Sequence, residues 1–200
     1  MKRIIDIVGA IVGLMITAVV MLFIAPAVKL ESPGPLIFKQ KRVGKNGRYF
    51  YIYKVRSMYQ DAEARKAELM EKNEMKGFMF KMTDDPRITK VGKFIRSTSI
   101  DELPQFWNVL KGDMAMVGPR PERMFYAKQI LEREPSYSLI HKVRPGITSL
   151  GQVKFGYAKN VDEMIERLRY DLLYLDNMSI INDFKIIAYT VRIVFKGRGL

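Results

Sequence analysis

The sequence has no cysteine, a single histidine and a single tryptophan in 200 residues. Without cysteine there is no disulfide framework, no thiolate nucleophile and no thiolate metal site. His141 alone cannot build a histidine metal cluster or a Ser-His triad. Acidic residues are also in short supply, with 21 Asp and Glu against 34 Lys and Arg and a net charge of +13. That imbalance points to a polyanionic partner, whether nucleic acid, anionic lipid or a phosphorylated substrate, and does not choose among them. Acid-base or nucleophilic work is left to the carboxylates. At this length and 48% hydrophobic content the chain can bury one sizeable core, so one catalytic domain plus a membrane element is the expected organisation.

Charge itself is missing from Ile7 to Val28, a run of 22 residues. At about 1.5 Å per residue this is long enough to cross a hydrocarbon layer of about 30 Å. It is too long for a secretory signal, and no small-x-small cleavage site in it is followed by a mature-looking polar segment. Cations flank both ends, Lys2 and Arg3 before it and Lys29, Lys39, Lys41 and Arg42 after it. Because cations mark the cytoplasmic side, both ends read as cytoplasmic. A helix that enters and returns satisfies this, with Pro26 as a break or bend near its end; one ordinary anchor helix is the alternative. Residues 1–30 are therefore assigned to a membrane-associated helix and 31–200 to a cytoplasmic catalytic domain. Near the other end, between Asn182 and Lys196, helical projection places Lys185, Arg192 and Lys196 on one face and Phe184, Ile187, Val191, Val194 and Phe195 opposite. Such a helix suits a membrane interface, or equally a core helix with a solvated basic stripe.

Between these ends, Leu36-Ile37-Phe38 and Tyr49–Tyr53 read as strands of a hairpin turning at Gly44-Lys45-Asn46-Gly47. Ser57 to Lys76 reads as an exposed helix without chemistry, closed by Gly77. Val161 to about Leu175 reads as an amphipathic helix with Asp171 at the margin of its apolar stripe. An acid there is either solvated or turned inward to organise a basic site. The expected class is α+β: a mostly helical compact domain with a short β-hairpin, an N-terminal re-entrant helix and amphipathic interfacial helices.

The chemistry is densest between Arg96 and Pro121. Pro104 cannot sit deep in a helix, so a helix over Gln105–Lys111 starts close before it and puts Asp101 and Glu102 at its N-terminus. There the two acids can be caps, Ser99 with Glu102 matching a capping box or Asp101 capping alone. A helix N-terminus also attracts phosphate, and adjacent carboxylates there can bind Mg²⁺ bridging to it. Arg120 is fixed between two prolines in Gly118-Pro119-Arg120-Pro121, and Arg144 precedes Pro145-Gly146. Both arginines sit on restricted backbone that suits bidentate phosphate binding, while each motif taken singly reads as a surface turn. Lys54 and Arg56, two apart on a strand, add cations on one face.

Read in order, these segments resemble the bacterial sugar transferase family of monotopic polyprenyl-phosphate phosphoglycosyl transferases. The likeness runs through Lys2-Arg3-Ile4-Ile5-Asp6-Ile7, Ser32-Pro33-Gly34-Pro35, Phe38-Lys39-Gln40, Arg42-Val43-Gly44 and Tyr53-Lys54-Val55-Arg56-Ser57-Met58. It continues through Ser99–Gln105, Asn108–Met114, Gly118–Pro121, Val143–Thr148 and Tyr170-Asp171. The resemblance implies transfer of a sugar 1-phosphate from a UDP-sugar to polyprenyl phosphate, with release of UMP and a covalent phosphosugar intermediate. Asp101 would be the nucleophile, Glu102 its assistant in metal binding or deprotonation, and Mg²⁺ the cofactor. Arg56, Arg96 and Arg120 would line the phosphates with Asp171 nearby. It also implies a re-entrant helix at the bacterial cytoplasmic membrane, anionic lipid contacts and no nucleic acid, with a homodimer left open. The family's usual Ser-Pro break reads Ala18-Val19 here, and its usual Gly after Thr148 is Ser149. A basic nucleic-acid-binding protein and a membrane-anchored scaffold are the rival readings. The membrane segment counts against the first, and the second would not need Asp101, Glu102 and a proline-flanked Arg120 together.

Overall fold

The uncharged run folds as one continuous helix, α1 (Lys2–Glu31), in a computed structural model that describes residues 1–69 and 85–195. Pro26 lies inside the helix without ending it, so the expected break is not formed there; the backbone leaves the helix only at Ser32. One stripe of α1 faces the rest of the protein, with Asp6, Ala10, Gly13, Thr17 and Val28 buried at alternating three- and four-residue steps along most of its length. At Gly13 a Cβ atom would come within 2.5 Å of the Phe106 ring, which is why only glycine fits. The opposite stripe, including Ile4, Val8, Met15, Val19, Leu22 and Phe23, is exposed. By length and hydropathy α1 is a candidate membrane helix.

Both ends of α1 are bonded to the same body. Lys2 donates to the Val117 carbonyl and the Tyr174 hydroxyl and pairs with Asp183. Arg3 donates to the carbonyls of Val109 and Leu110 at the end of a helix, where a cation is favoured. Asp6 accepts from the Met116 N–H at 2.9 Å. At the other end Glu31 accepts from the N–H groups of Lys90 and Val91.

The hairpin is present and longer than expected: β1 (Ile37–Val43) pairs antiparallel with β2 (Tyr49–Val55) around a 3₁₀ turn at Lys45–Gly47. Lys39 and Lys41 on its outer face stack on Tyr53 and Tyr49. The expected helix over Ser57–Lys76 is reduced to α2 (Ala64–Glu68) among the described residues; residues 70–76 and the stop at Gly77 lie outside them. Before α2, Met58 is bridged to Ile88 and the chain turns at Gln60–Glu63. The chain continues through α3 (Lys90–Ser97), a 3₁₀ turn at Ile100–Glu102 and α4 (Gln105–Lys111) to β3 (Ala115–Val117). Then come α5 (Met124–Arg133), a 3₁₀ stretch (Pro135–Lys142) and β4 (Gly146–Thr148), parallel to β3. The chain closes with α6 (Leu150–Lys154), α7 (Val161–Asp176) and α8 (Ile180–Phe195).

The expected stripe of α7 is observed, with Met164 and Leu168 buried against Val43, Ala127, Ile130 and Ile140. On α8 it is Asp183 and Ile186 that turn inward, while Ile181, Phe184 and Val191 stay exposed beside the exposed Lys185 and Arg192. Lys196 lies outside the described residues. Helix α1 supplies Ala10 to a core with Phe50, Ile52, Val109 and Met114, and Val28 to another with Val55 and Ile95. Burying a side chain the size of Val28 contributes about 1.5–3 kcal/mol, and the single methyl of Ala10 less. The line drawn at residue 30 is therefore not a boundary between separate cores.

Candidate active site

The Asp101–Glu102 turn is built by what precedes it. Thr89 caps α3 through Gly92 N–H, and after Ser97 the chain reverses at Ser99, whose φ of 56° is left-handed. That conformation is uncommon for serine. Ser99 makes no side-chain cap, so the capping box does not form; Asp101 is not a helix cap either, because Pro104 occupies the position before α4. Both acids sit in the 3₁₀ turn, one turn earlier than expected, and Asp101 is buried.

Asp101 opens onto a cavity of about 480 Å³, in the range of small-molecule sites. Its walls are the inner face of the hairpin (Phe38, Gln40, Arg42, Lys54), the Arg56–Gln60 segment, the Arg120–Arg123 loop and the start of α7 with Tyr157. Eight cations and three acids line it. Segment 57–63, read from sequence as free of chemistry, forms part of this wall.

The two neighbouring carboxylates are in different electrostatic states. Burial, reinforced by the charge of Glu102 and opposed by Lys54 and Arg96, pushes Asp101 up to about 6. Burial would raise Glu102 as well, but the charges of Lys54 and Arg120 and the Lys54 hydrogen bond hold it below the ordinary carboxylate value. Lys54 pairs directly with Glu102. One acid is thus a fixed anion and the other titrates near neutrality, which is how environment assigns two roles to one residue type.

Of the expected cations, Lys54, Arg56, Arg96 and Arg120 line the cavity together. Arg56 has a structural duty as well, donating to the carbonyls of Ser32 and Pro33 just after α1. Arg144 and Asp171 are not among the lining residues. Arg144 is exposed and its Nε donates to Gly112 O at 2.9 Å; the backbone around it braces the Gly118–Pro121 loop, where Gly146 N–H donates to Pro119 O. Asp171 is buried behind the cavity, accepting from Gly151 N–H at 2.9 Å, from Ser149 and from the backbone of Arg120; burial raises its carboxyl above the ordinary range. It organises the arginine loop from beneath, the inward of its two expected placements.

Sequence reasoning missed the residue that holds the cavity's arginines together. Glu122, 5% exposed, accepts from Arg167 at 2.5 Å and Arg42 at 3.4 Å and lies 4.0 Å from Arg120. Arg42 is so enclosed that its pKa falls to about 10. Arg42 and Gln40 share strand parity with the cavity face that carries Lys54, so extending β1 by four residues would have disclosed both. Among the described residues no group of three or more His, Cys, Asp or Glu is placed to hold a metal. Two adjacent carboxylates are nonetheless the set Mg²⁺ takes when substrate phosphate and water complete its shell.

A family model described as bacterial sugar transferase matches residues 1–197. The chain is 48% identical over 202 residues to the galactosyl transferase CpsE of Streptococcus agalactiae serotype III (strain NEM316), covering 99% of this chain and 43% of that protein. It is 43% identical to a UDP-N-acetylgalactosamine-undecaprenyl-phosphate N-acetylgalactosaminephosphotransferase of Aeromonas hydrophila, covering 99% of this chain and 44% of the relative. It is 38% identical to an uncharacterized sugar transferase, EpsL, of Bacillus subtilis (strain 168), over 100% of this chain and 90% of the relative. The chain spans less than half the length of the first two relatives.

Proposed function

The chain belongs to the bacterial sugar transferase family, and from that premise we propose that it transfers a sugar 1-phosphate from a UDP-sugar to polyprenyl phosphate, releasing UMP. The observation that carries the reading is Asp101, buried at the wall of a cation-lined cavity with its carboxyl raised to about 6, beside a Glu102 kept ionised by Lys54. Relatives named for this exchange with undecaprenyl phosphate add support.

In this reading the cations of the cavity bind the diphosphate and neutralise it against the approach of an anion. Asp101, deprotonated at neutral pH and partly stripped of water, is a competent oxygen nucleophile. Its oxygen forms a bond to the β-phosphorus as the bridging bond to the α-phosphate breaks, and UMP departs with that electron pair. A polyprenyl phosphate oxygen then attacks the same phosphorus, the Asp101–phosphorus bond breaks, and the carboxylate is regenerated. Glu102, kept anionic, holds Lys54 beside the reacting phosphate. With Asp101 it would also hold Mg²⁺, which neutralises phosphate charge when bound.

Membrane attachment follows the same line. A 30-residue helix whose two ends are both bonded to one body is supported as a helix that does not cross, its exposed stripe and that of α8 meeting lipid from the cytoplasmic face of the bacterial membrane. Lys185 and Arg192 beside the α8 stripe suit anionic headgroups. The reaction would be the first membrane step in assembling a bacterial glycan. The test is UMP release from a panel of UDP-sugars with Mg²⁺ and polyprenyl phosphate, comparing wild type with Asp101→Asn, together with intact mass of protein exposed to UDP-sugar alone. Wild type should release UMP and gain a phosphosugar mass, and D101N should do neither. No release from any sugar ends the reading.

A further inference from the structure

A transfer of this kind has one soluble substrate and one carried in a bilayer, and both must reach Asp101. Phe38 lies directly across from Lys54 in the hairpin register and on the same face, and it lines the cavity. Its partner Lys54 pairs with Glu102. The two backbones are thus one strand spacing, roughly 5 Å, apart at this pair, and both side chains line the cavity onto which Asp101 opens. Yet Phe38 is 48% exposed. A large apolar ring at the mouth of a cationic cavity is explained neither by core packing nor by phosphate binding.

The route from α1 to this ring is short and fixed. Leu30, at the end of α1, is 87% exposed. The chain then crosses a turn in which Arg56 grips the carbonyls of Ser32 and Pro33. Gly34 has a φ of 118°, and a Cβ there would come within 2.5 Å of Arg56 Nη1 and 2.9 Å of Gln60 Oε1. The turn is thus packed onto the cavity wall. Beyond it Pro35 is exposed and, like Phe38, lines the cavity. Exposed apolar side chains therefore recur along the chain from the membrane helix, at Phe23 and Leu30, to the cavity lining, at Pro35 and Phe38.

Building on the reaction proposed above, we propose that Pro35 and Phe38 form the entry lane of the lipid acceptor. Phe38 packs on the isoprenoid next to the phosphate and so makes the second half-reaction sensitive to a long apolar chain. The test compares undecaprenyl phosphate with a two-isoprene phosphate as acceptor for wild type, Phe38→Ser and Phe38→Leu, reading adduct formation with UDP-sugar in the same preparations. Loss of an apolar contact of this size costs about tenfold in kcat/KM for the long acceptor. The expected result is that drop in F38S, confined to transfer onto the lipid, with the preference for the long chain shrinking and F38L recovering most of it. F38S with wild-type chain-length preference overturns the proposal. So does a fall in adduct formation that matches the fall in turnover, which would place Phe38 on the donor side. Failure of wild type to release UMP at all would instead sink the reaction reading itself.

Discussion

Lys54 places its ammonium on Glu102 and leaves the adjacent Asp101 without an ion-pair partner among the described residues. A cation between two neighbouring carboxylates could have neutralised either; committing to one separates their proton affinities.

That separation fixes a pH profile. Asp101 must be ionised to attack and sits at about 6, so donor-half UMP release should fall with unit slope as pH drops through about 6. Stopped assays between pH 5 and 8 measure this limb. A limb near 4 would mean that Asp101 is not the titrating group.

Replacing Lys54 with Met removes a charge that lowers both acids. The acid limb should move to higher pH and kcat should fall by about a hundredfold, the scale of losing one electrostatic stabiliser. A change in KM alone, with the limb unmoved, would count against the role.

Stability should run opposite to activity at Asp101. Its folded pKa is raised, so the native state binds more protons than the unfolded state between about pH 4 and 6, and stability falls as pH rises through that window. Above it the penalty is fully present. Asp101→Asn should therefore raise Tm at pH 7.5 by about 4 °C, from a gain on the order of 2 kcal/mol, and show little gain at pH 4. Melting curves at the two pH values are the check.

Glu122 is the counter-charge for buried Arg167 and Arg42. Glu122→Ala should cost about 3–5 kcal/mol by leaving buried cations uncompensated, and Glu122→Ala with Arg167→Met should recover part of it. Thermal denaturation of the double-mutant cycle in one detergent tests this coupling. Additive losses would break it.

Because the chain lacks cysteine, topology can be read with single additions. Lys2→Cys and Lys29→Cys should both be labelled by an impermeant reagent only after the cytoplasmic side is opened. Labelling of either from outside would make α1 a crossing helix.

What the sequence disclosed depended on how local the signal was. The apolar α1 and the α7 stripe follow from periodicity over many residues. The hairpin was legible because Gly44–Gly47 must turn, although β1 runs on to Val43, past the Leu36–Phe38 stretch read as its strand. Asp101 and Glu102 were found, but their backbone was not: Ser99 adopts a left-handed turn that nothing in a serine announces. Glu122 escaped notice, and Arg42 was read only as a flanking cation and part of a motif, because their partners come from distant elements. Arg144 looked equivalent to Arg120 in its proline setting, and only tertiary placement separates the one at the cavity from the one that braces it.

The grip of Glu31 on the first amides of α3 carries a practical lesson. Residues 1–31 hold part of two cores, close the start of the helix that leads to the Asp101 turn, and anchor Arg56 through the carbonyls that follow. Deleting the greasy segment to obtain a water-soluble enzyme would remove the scaffold's keystone along with its anchor. Solubilisation is better sought by recolouring the outward stripe, at Val8, Met15, Val19 and Phe23, with polar side chains while the inward stripe is left untouched.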